Sequence, residues 1–238
     1  MVTWPWQRNR TTARTLKVRS RGDFGDVNRV DFEELAPDVD TFLGQAAYLQ
    51  LGYFETLSHL IAPTPELSQK ESLSLAAGAA LLKHRELVAV VRERGDDPTA
   101  IMLPFREPLD AYRGATRGAR PLETMLSVHV TAGMLDDFYI ALSASFGATG
   151  DRVAQILRGD DERQALARII TEAIDADAEW RSLLSLWGRR LVGDTLLVAR
   201  GALRPHTLDA AEEKRVEPVF TDLLAGHSRR MAALGLDA

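Results

Sequence analysis

The chain has 238 residues, of which 45% are hydrophobic and 26% charged, as in a globular protein of one domain or at most two. It contains no cysteine, which excludes disulfides, thiolate metal ligands and cysteine nucleophiles. No apolar run reaches the roughly 20 residues of a membrane span, and the N-terminus lacks the apolar core of a signal peptide. We therefore expect a cytoplasmic protein with no membrane partner.

Charge divides the chain into two unequal parts. Residues 1–22 carry six basic side chains and no acid, whereas the remainder carries 23 basic and 34 acidic ones. Residues 1–36 also show no clear period, so we predict a partly flexible N-terminal arm over 1–36 and one helical domain over 37–238. The acidic domain is a poor surface for nucleic acid. The basic arm has the charge to bind nucleic acid or an anionic surface, or to fold back on the domain.

Helical periodicity dominates the rest of the chain, and strand signals are nearly absent. Asp38 is the predicted cap of the first helix, and Thr64 the cap of a second that begins at Pro65. Long antiparallel helices with short connections predict an all-α, up-down four-helix bundle with additional short helices and a C-terminal helix packed outside. The bundle is predicted from about 38–62, 65–94, 121–146 and the 161–203 region, in which a short helix covers 161–174 and a long one 176–203. Further short helices begin at 98 and cover 149–157, and a last helix, broken near Pro218, covers 208–234.

The first predicted helix is almost free of charge. Between Val39 and Ala62 the only acids are Asp40 and Glu55, and there is no Lys or Arg. Glu55 and His59 lie on the side of the helix away from the apolar stripe. A solvent-exposed side of a helix normally carries many charged residues. We therefore predict that this side is covered by another helix, by a metal site or by a second subunit.

Two other helices carry unusual side chains. On the second helix, His84 lies in the predicted buried stripe, where a compact polar cluster with Glu55, Asp137, Tyr53 or Tyr139 is expected to satisfy it. On the last long helix, Trp180 and Trp187 belong to a broad apolar face, and Arg190 and Asp194 at its edge are predicted to pair. This face and the uncharged side of the first helix exceed what one bundle core covers, which predicts a homodimer.

Four stretches of the sequence resemble actinobacterial ferritin-like proteins of the tRNA isopentenyladenosine hydroxylase-like branch. The resemblance covers roughly residues 30–235 and implies a ferritin-type helical bundle, often dimeric. In active relatives of that branch, two bridged irons would activate dioxygen to hydroxylate an apolar side group. The stretches are VDFEELAPDVDTFLGQAAYLQLGYFETLSHL (30–60), AAGAALLKHRELVAVV (76–91), VTAGMLDDFY (130–139) and LWGRRLVGDTLLVAR (186–200).

A di-iron centre of this type needs four carboxylates and two histidines, typically with two Glu-x-x-His units. Glu55 matches the glutamate expected on the first helix, and His84 the histidine of the second, although Leu81 stands where its glutamate partner would be. Asp136 and Asp137 stand where the third helix would supply a longer glutamate, and adjacent residues cannot both face the centre. The region 159–172, where the last unit should lie, contains no histidine.

The ligand set is therefore incomplete, and two functions remain. The first is a ferritin-like dimeric binding or structural module without a cofactor, in which Glu55, His84, Asp136 and Asp137 are vestigial metal candidates and the small-molecule ligand is unknown. The second is a di-iron, oxygen-dependent hydroxylase that uses the same residues with Glu162. The metal content of the purified protein distinguishes the two.

Overall fold

The structure, a computed structural model, describes residues 35–159, 163–203 and 210–238. Within these ranges the chain forms α-helices, turns and short 3₁₀ segments, without β-strands. The prediction of an all-α fold is confirmed. The helices are α1 Val39–Ile61, α2 Leu67–Glu93, α3 Pro98–Met102, α4 Arg106–Ala115, α5 Pro121–Leu142, α6 Gly147–Arg158, α7 Arg163–Ala176, α8 Glu179–Gly201 and α9 Ala210–Ala233.

Capping residues explain where the first two helices begin. Asp38 has an extended backbone, and its carboxylate accepts a hydrogen bond from Thr41 N at 2.8 Å, as predicted for the cap of α1. The prediction for α2 was wrong, because this helix begins at Leu67, two residues later than expected. Thr64 does not cap it. Its hydroxyl donates to Leu60 O at 2.7 Å and is thereby used on the last turn of α1.

Two features further along the chain also differ from the prediction, namely the end of α5 and the continuity of α9. α5 ends at Leu142, and the chain continues as a 3₁₀ turn to Phe146 before Gly147, whose φ of 53° few other residues adopt. The predicted break near Pro218 is wrong, because α9 is continuous through this residue. Pro218 is exposed and, as a proline, has no N–H to donate to the carbonyl four residues earlier.

Four helices surround the core. α1 packs against α2 and α5, and α7 packs against the same two, which closes the bundle. α8 packs mainly on α5, α9 packs on α5 and α8, and α3 and α4 lie along α1. The final helix is thus outside the bundle, as predicted. The largest fully buried side chains are those of Leu35, Phe42, Leu43, Leu57, Leu73, Leu87, Leu126, Met134, Leu135, Phe138 and Leu142.

The predicted arm, 1–36, lies outside the described residues except for its last two. Leu35 and Ala36, which the sequence assigned to the arm, are buried in the core. The division into arm and domain stays a prediction. No helix in the described ranges combines the length and the apolar character needed to cross a membrane.

Candidate functional site

A buried ion pair occupies the centre of the bundle. Lys83 on α2 and Asp136 on α5 are 3% and 4% exposed, and Lys83 Nζ lies 3.2 Å from Asp136 Oδ2. Lys83 Nζ also donates a hydrogen bond to Leu157 O at 2.9 Å. A charge is retained at such depth only when a counter-charge and further hydrogen bonds offset its lost hydration. Each partner therefore depends on the other.

Two more side chains complete the bundle centre. Gln50 Nε2 on α1 donates to Asp136 Oδ1 at 2.8 Å, and Arg163 Nη2 on α7 lies 3.6 Å from Asp136 Oδ2. Burial raises the pKa of Asp136, whereas the charges of Arg163 and Lys83 act in the opposite direction. All four bundle helices therefore contribute a side chain to one polar cluster. The remaining space is about 20 Å³, which is room for little more than a water molecule.

The residues at the bundle centre do not fit a di-iron site. In di-iron bundles, residues at i and i+3 on two of the helices supply a glutamate and a histidine each. Here Ala80 and Lys83 hold that spacing on α2, and Arg163 and Leu166 hold it on α7, all four around the same small space. An ammonium and a guanidinium group have no lone pair for a metal, and alkyl side chains have none either. Asp136 is the one carboxylate among the residues that line this space in the described structure.

The four metal candidates named from sequence lie at separate places. Asp136 is at the bundle centre, whereas Glu55 forms an ion pair with Arg113 on α4 and is 44% exposed at its side chain. His84 Nδ1 donates to Ala47 O at 2.9 Å, and Asp137 lies at the surface. Within the described residues, no three His, Asp or Glu side chains converge as a metal site would require. Glu162 lies outside the described residues.

The polar cluster predicted around His84 is instead centred on the neighbouring residue. Adjacent helical residues point about 100° apart, so Lys83 faces the bundle centre and His84 only the groove beside α1. His84 is satisfied by a backbone carbonyl, without Glu55 or Asp137. Lys83 had a detectable signal, because it is in helical phase with the buried Ala76, Ala80 and Leu87.

Asp137 serves to hold α9 on the bundle. Arg230 Nη2 lies 2.6 Å from Asp137 Oδ2 and donates to Gly133 O at 3.0 Å. Gly133 lies directly under this arginine, since a Cβ there would be 2.2 Å from Arg230 Nε and 3.0 Å from Arg163 Nη1. As expected from helical phase, only one of the two adjacent aspartates, Asp136, faces the centre.

The first part of the uncharged side of α1 is covered by α3 and α4 of the same chain. A Cβ on Gly44 would lie 2.4 Å from Ile101 O, so the two backbones are in close contact. Tyr48 donates its hydroxyl to Asp110 Oδ1 at 2.9 Å, and burial together with Asp110 raises the pKa of Tyr48 to about 12. Of the three covers expected from sequence, the structure therefore shows a helix over this part. Further along the same side, His59 is exposed and the Glu55 side chain is 44% exposed, so no described helix covers them. The predicted dimer stays a prediction.

The apolar face of α8 is also partly used within the chain. Trp187 Nε1 donates to Ser127 Oγ on α5 at 2.8 Å. Arg190 lies over the Trp187 ring at 5.2 Å from its centroid, and the predicted pairing of Arg190 with Asp194 does not occur. The exposed Arg190 gains more from an adjacent ring face than from an i, i+4 carboxylate in water.

A cleft of about 410 Å³ opens at the end of the bundle, between α1, α4 and the start of α5. Sequence reasoning missed it, because its walls come from segments distant in sequence. Arg113 bridges two acids there: it pairs with Glu55, and its Nη2 lies 2.7 Å from Asp110 Oδ1. Arg117 and Arg120 also line the cleft. We refer to this space as the end cleft.

A smaller cavity of about 30 Å³ adjoins the end cleft on its inner side. Tyr112 donates its hydroxyl to Thr195 Oγ1 at 3.1 Å, since that threonine hydroxyl itself donates to Leu191 O. Tyr53 Oη is buried here without a hydrogen-bond partner among the described residues. Burial raises the pKa of Tyr112 to about 12 and that of Tyr53 well above its usual value, so both hydroxyls stay protonated. We refer to this space as the inner cavity.

A family model described as a ferritin-like domain of actinomycetes matches residues 34–208, which include the end cleft and the bundle centre. No curated protein matches the chain.

Proposed function

Because the chain belongs to the family of ferritin-like domains of actinomycetes, we propose that it uses this fold as a dimeric binding module that works without a metal. The observation that carries the proposal is the position of Lys83 Nζ, 3.2 Å from Asp136 Oδ2 at the bundle centre. The lysine supplies the positive charge that the aspartate needs, at the place where metal ions would otherwise supply it.

The bundle centre disfavours metal binding for two reasons: it offers too few ligands, and its net charge repels a cation. A divalent ion there would approach both Lys83 and Arg163, with one carboxylate to offset all the positive charge. The lysine would have to leave or lose its proton first. Removing a partner from a buried ion pair costs about 3–5 kcal/mol, and the free energy of weak metal binding would not offset this cost.

The alternative is a dioxygen-activating di-iron hydroxylase of the tRNA hydroxylase-like branch, which the four resembling stretches favour. It would draw on Glu55, His84, Asp136 or Asp137, and Glu162. With Asp136 at the centre, Glu55 would have to leave Arg113 and His84 would have to leave Ala47 O. The same measurement tests both functions.

The test is the metal content of protein produced with added iron and purified without chelators. We expect only trace iron by elemental analysis, no ferric–oxo absorption band, and no change in the Asp136→Asn variant. Asp137→Asn is the matched control, because it neutralises the adjacent carboxylate outside the centre. About two irons per chain that are lost in Asp136→Asn but kept in Asp137→Asn would overturn the proposal.

The proposed dimer is supported by exposed leucines on α8. Leu186 and Leu197 are 65% and 69% exposed and lie three helical turns apart, hence on one side of the helix. A two-fold contact between α8 helices would bury both. We expect a dimer by light scattering, and a monomer after Leu186→Glu and Leu197→Glu together. The matched control replaces Leu75 and Leu82, two exposed leucines of α2, by glutamate and should stay dimeric.

A further inference from the structure

The end cleft has one more positive than negative side chain in its walls. Arg113, Arg117 and Arg120 face two acids, Glu55 and Asp110. Both acids form ion pairs with Arg113, so neither is paired with Arg117 or Arg120. Arg120 lies over the ring of Trp180 at 5.3 Å from the centroid, and its backbone N–H donates to Glu123 Oε2 at 3.0 Å.

Arg117 is the group best placed to receive a ligand. It is exposed, lines both the end cleft and the inner cavity, and has no ion-pair partner within the described part of the chain. A guanidinium group presents paired N–H donors that match the two oxygens of a carboxylate. A bound carboxylate would therefore gain two charge-assisted hydrogen bonds without breaking an existing pair.

The inner cavity supplies the second half of the site. Thr56, Asp110, Arg113, Arg117 and Thr124 line both spaces, so the cavity continues directly from the cleft. Its far walls are mostly aliphatic and aromatic, and its volume of about 30 Å³ admits a narrow group only. Tyr53 also lines the inner cavity, and its buried Oη, which makes no hydrogen bond within 3.5 Å to the described residues, can donate to a ligand atom.

We infer that the end cleft and the inner cavity together bind a small organic monocarboxylate, whose carboxylate pairs with Arg117 and whose slender tail enters the inner cavity toward Tyr53. The inference rests on the proposed binding role and names its ligand class. A monoanion balances the single surplus positive charge, whereas a phosphate dianion would reverse it. A tail of one or two carbon atoms also fits the apolar walls and the volume of about 30 Å³, where phosphate has no group to place.

Calorimetric titration of the full chain at pH 7 tests the inference, with acetate, propanoate, butanoate and hexanoate as probes and inorganic phosphate for comparison. We expect saturable binding that strengthens from acetate to propanoate as the tail fills the inner cavity, and weakens for hexanoate, whose tail is too long for a cavity of about 30 Å³. Phosphate should bind at least tenfold more weakly than propanoate. No saturable binding of any carboxylate, or phosphate binding as tight as that of propanoate, would overturn the inference.

Variants then locate the site. Arg117→Gln should weaken propanoate binding by about tenfold or more without lowering the melting temperature, because Arg117 is exposed and makes no described ion pair. Arg85→Gln, an exposed arginine of α2 outside the cleft, is the matched control and should bind as the original chain does. Equal affinities in the two variants would place the anion elsewhere and refute the assignment. Val128→Leu adds one methylene to the lining of the inner cavity without removing a side-chain hydrogen bond, and it should abolish the preference for propanoate over acetate. Retention of that preference would count against the inference.

The outcome is separable from that of the proposed function. Titrations are carried out on chelator-treated protein, so carboxylate binding at Arg117 is measured with no metal present. Stoichiometric iron in the untreated protein would overturn the metal-independent role and leave this site intact. Failure of every carboxylate with metal-free protein would overturn the site and leave the nature of the bundle centre unchanged.

Discussion

The bundle centre and the end cleft both contain ion pairs, but in opposite surroundings. At the centre, Lys83 and Asp136 are almost fully buried, in a space of about 20 Å³. In the end cleft, Arg113 and Glu55 are 31% and 44% exposed at their side chains, beside about 410 Å³ of open volume. Buried charges need partners for the fold to persist, whereas exposed charges can be left free for a ligand. The fold therefore places its structural charges at the centre and its available charge, Arg117, at the end.

The largest expected effect breaks the central pair. Asp136→Ala should lower the free energy of unfolding by about 3–5 kcal/mol, because Lys83 would remain buried without its counter-charge. Urea denaturation measures the loss. Asp137→Ala, which breaks the more exposed pair with Arg230, should cost less than about 1 kcal/mol.

A double variant sharpens the interpretation of that loss. Lys83→Met with Asp136→Leu replaces the pair by apolar groups and should recover most of the stability lost in Asp136→Ala. If the double variant is as unstable as the single one, the cost comes from packing rather than from an isolated charge.

The next largest effect concerns the contact between α5 and α9. Gly133→Ala should cost about 1–3 kcal/mol, because the new Cβ would displace Arg230 from Gly133 O and Asp137. Gly78→Ala is the matched control, since a Cβ there meets nothing within 4 Å. It should stabilise the chain by about 0.5–1 kcal/mol through helix propensity. Thermal denaturation of the two variants side by side measures the two changes in stability. If both variants were stabilised, the proposed close contact between Gly133 and Arg230 would be contradicted.

A third prediction concerns pH. His227 on α9 is 3% exposed, and burial followed by the charge of Arg230 lowers its pKa from 6.5. Below pH 6.5 the unfolded chain therefore takes up a proton that the folded chain refuses, and stability falls by at most about 1.4 kcal/mol per pH unit until the folded pKa is reached. His227→Leu should flatten the dependence between pH 7 and pH 5, as seen in urea denaturation. His59→Leu, at an exposed histidine, should not.

The smallest effect belongs to the end cleft. Glu55→Gln should lower the free energy of unfolding by less than about 1 kcal/mol, because its pair with Arg113 is half-exposed and Asp110 remains in contact with that arginine. The loss should shrink further in 0.5 M salt. A salt-independent loss of several kcal/mol would mean that the cleft carries structural charges as the centre does.

The site residues predicted from sequence show what helical phase can and cannot predict. Phase indicated correctly that only one of Asp136 and Asp137 faces inward, since adjacent side chains diverge by a fixed angle. It did not separate His84 from Lys83, because both lie within one broad stripe and a rotation of one residue decides which is central. Because lysine is charged, the sequence favoured a surface position for Lys83. Its burial is explained only by the ion pair with Asp136, which lies on a helix distant in sequence.

The sequence by itself determined the helical class, the cap at Asp38, the three long bundle helices α1, α2 and α5 and the shortage of metal ligands, because these depend on local periodicity, capping chemistry and residue type. Only the tertiary structure decided that α7 closes the bundle and that α3 and α4 cover part of the uncharged side of α1. It also decided that Gln50, Lys83, Asp136 and Arg163 meet at the centre. These contacts join residues far apart in the chain, and their energies depend on burial and distance, which no local pattern encodes.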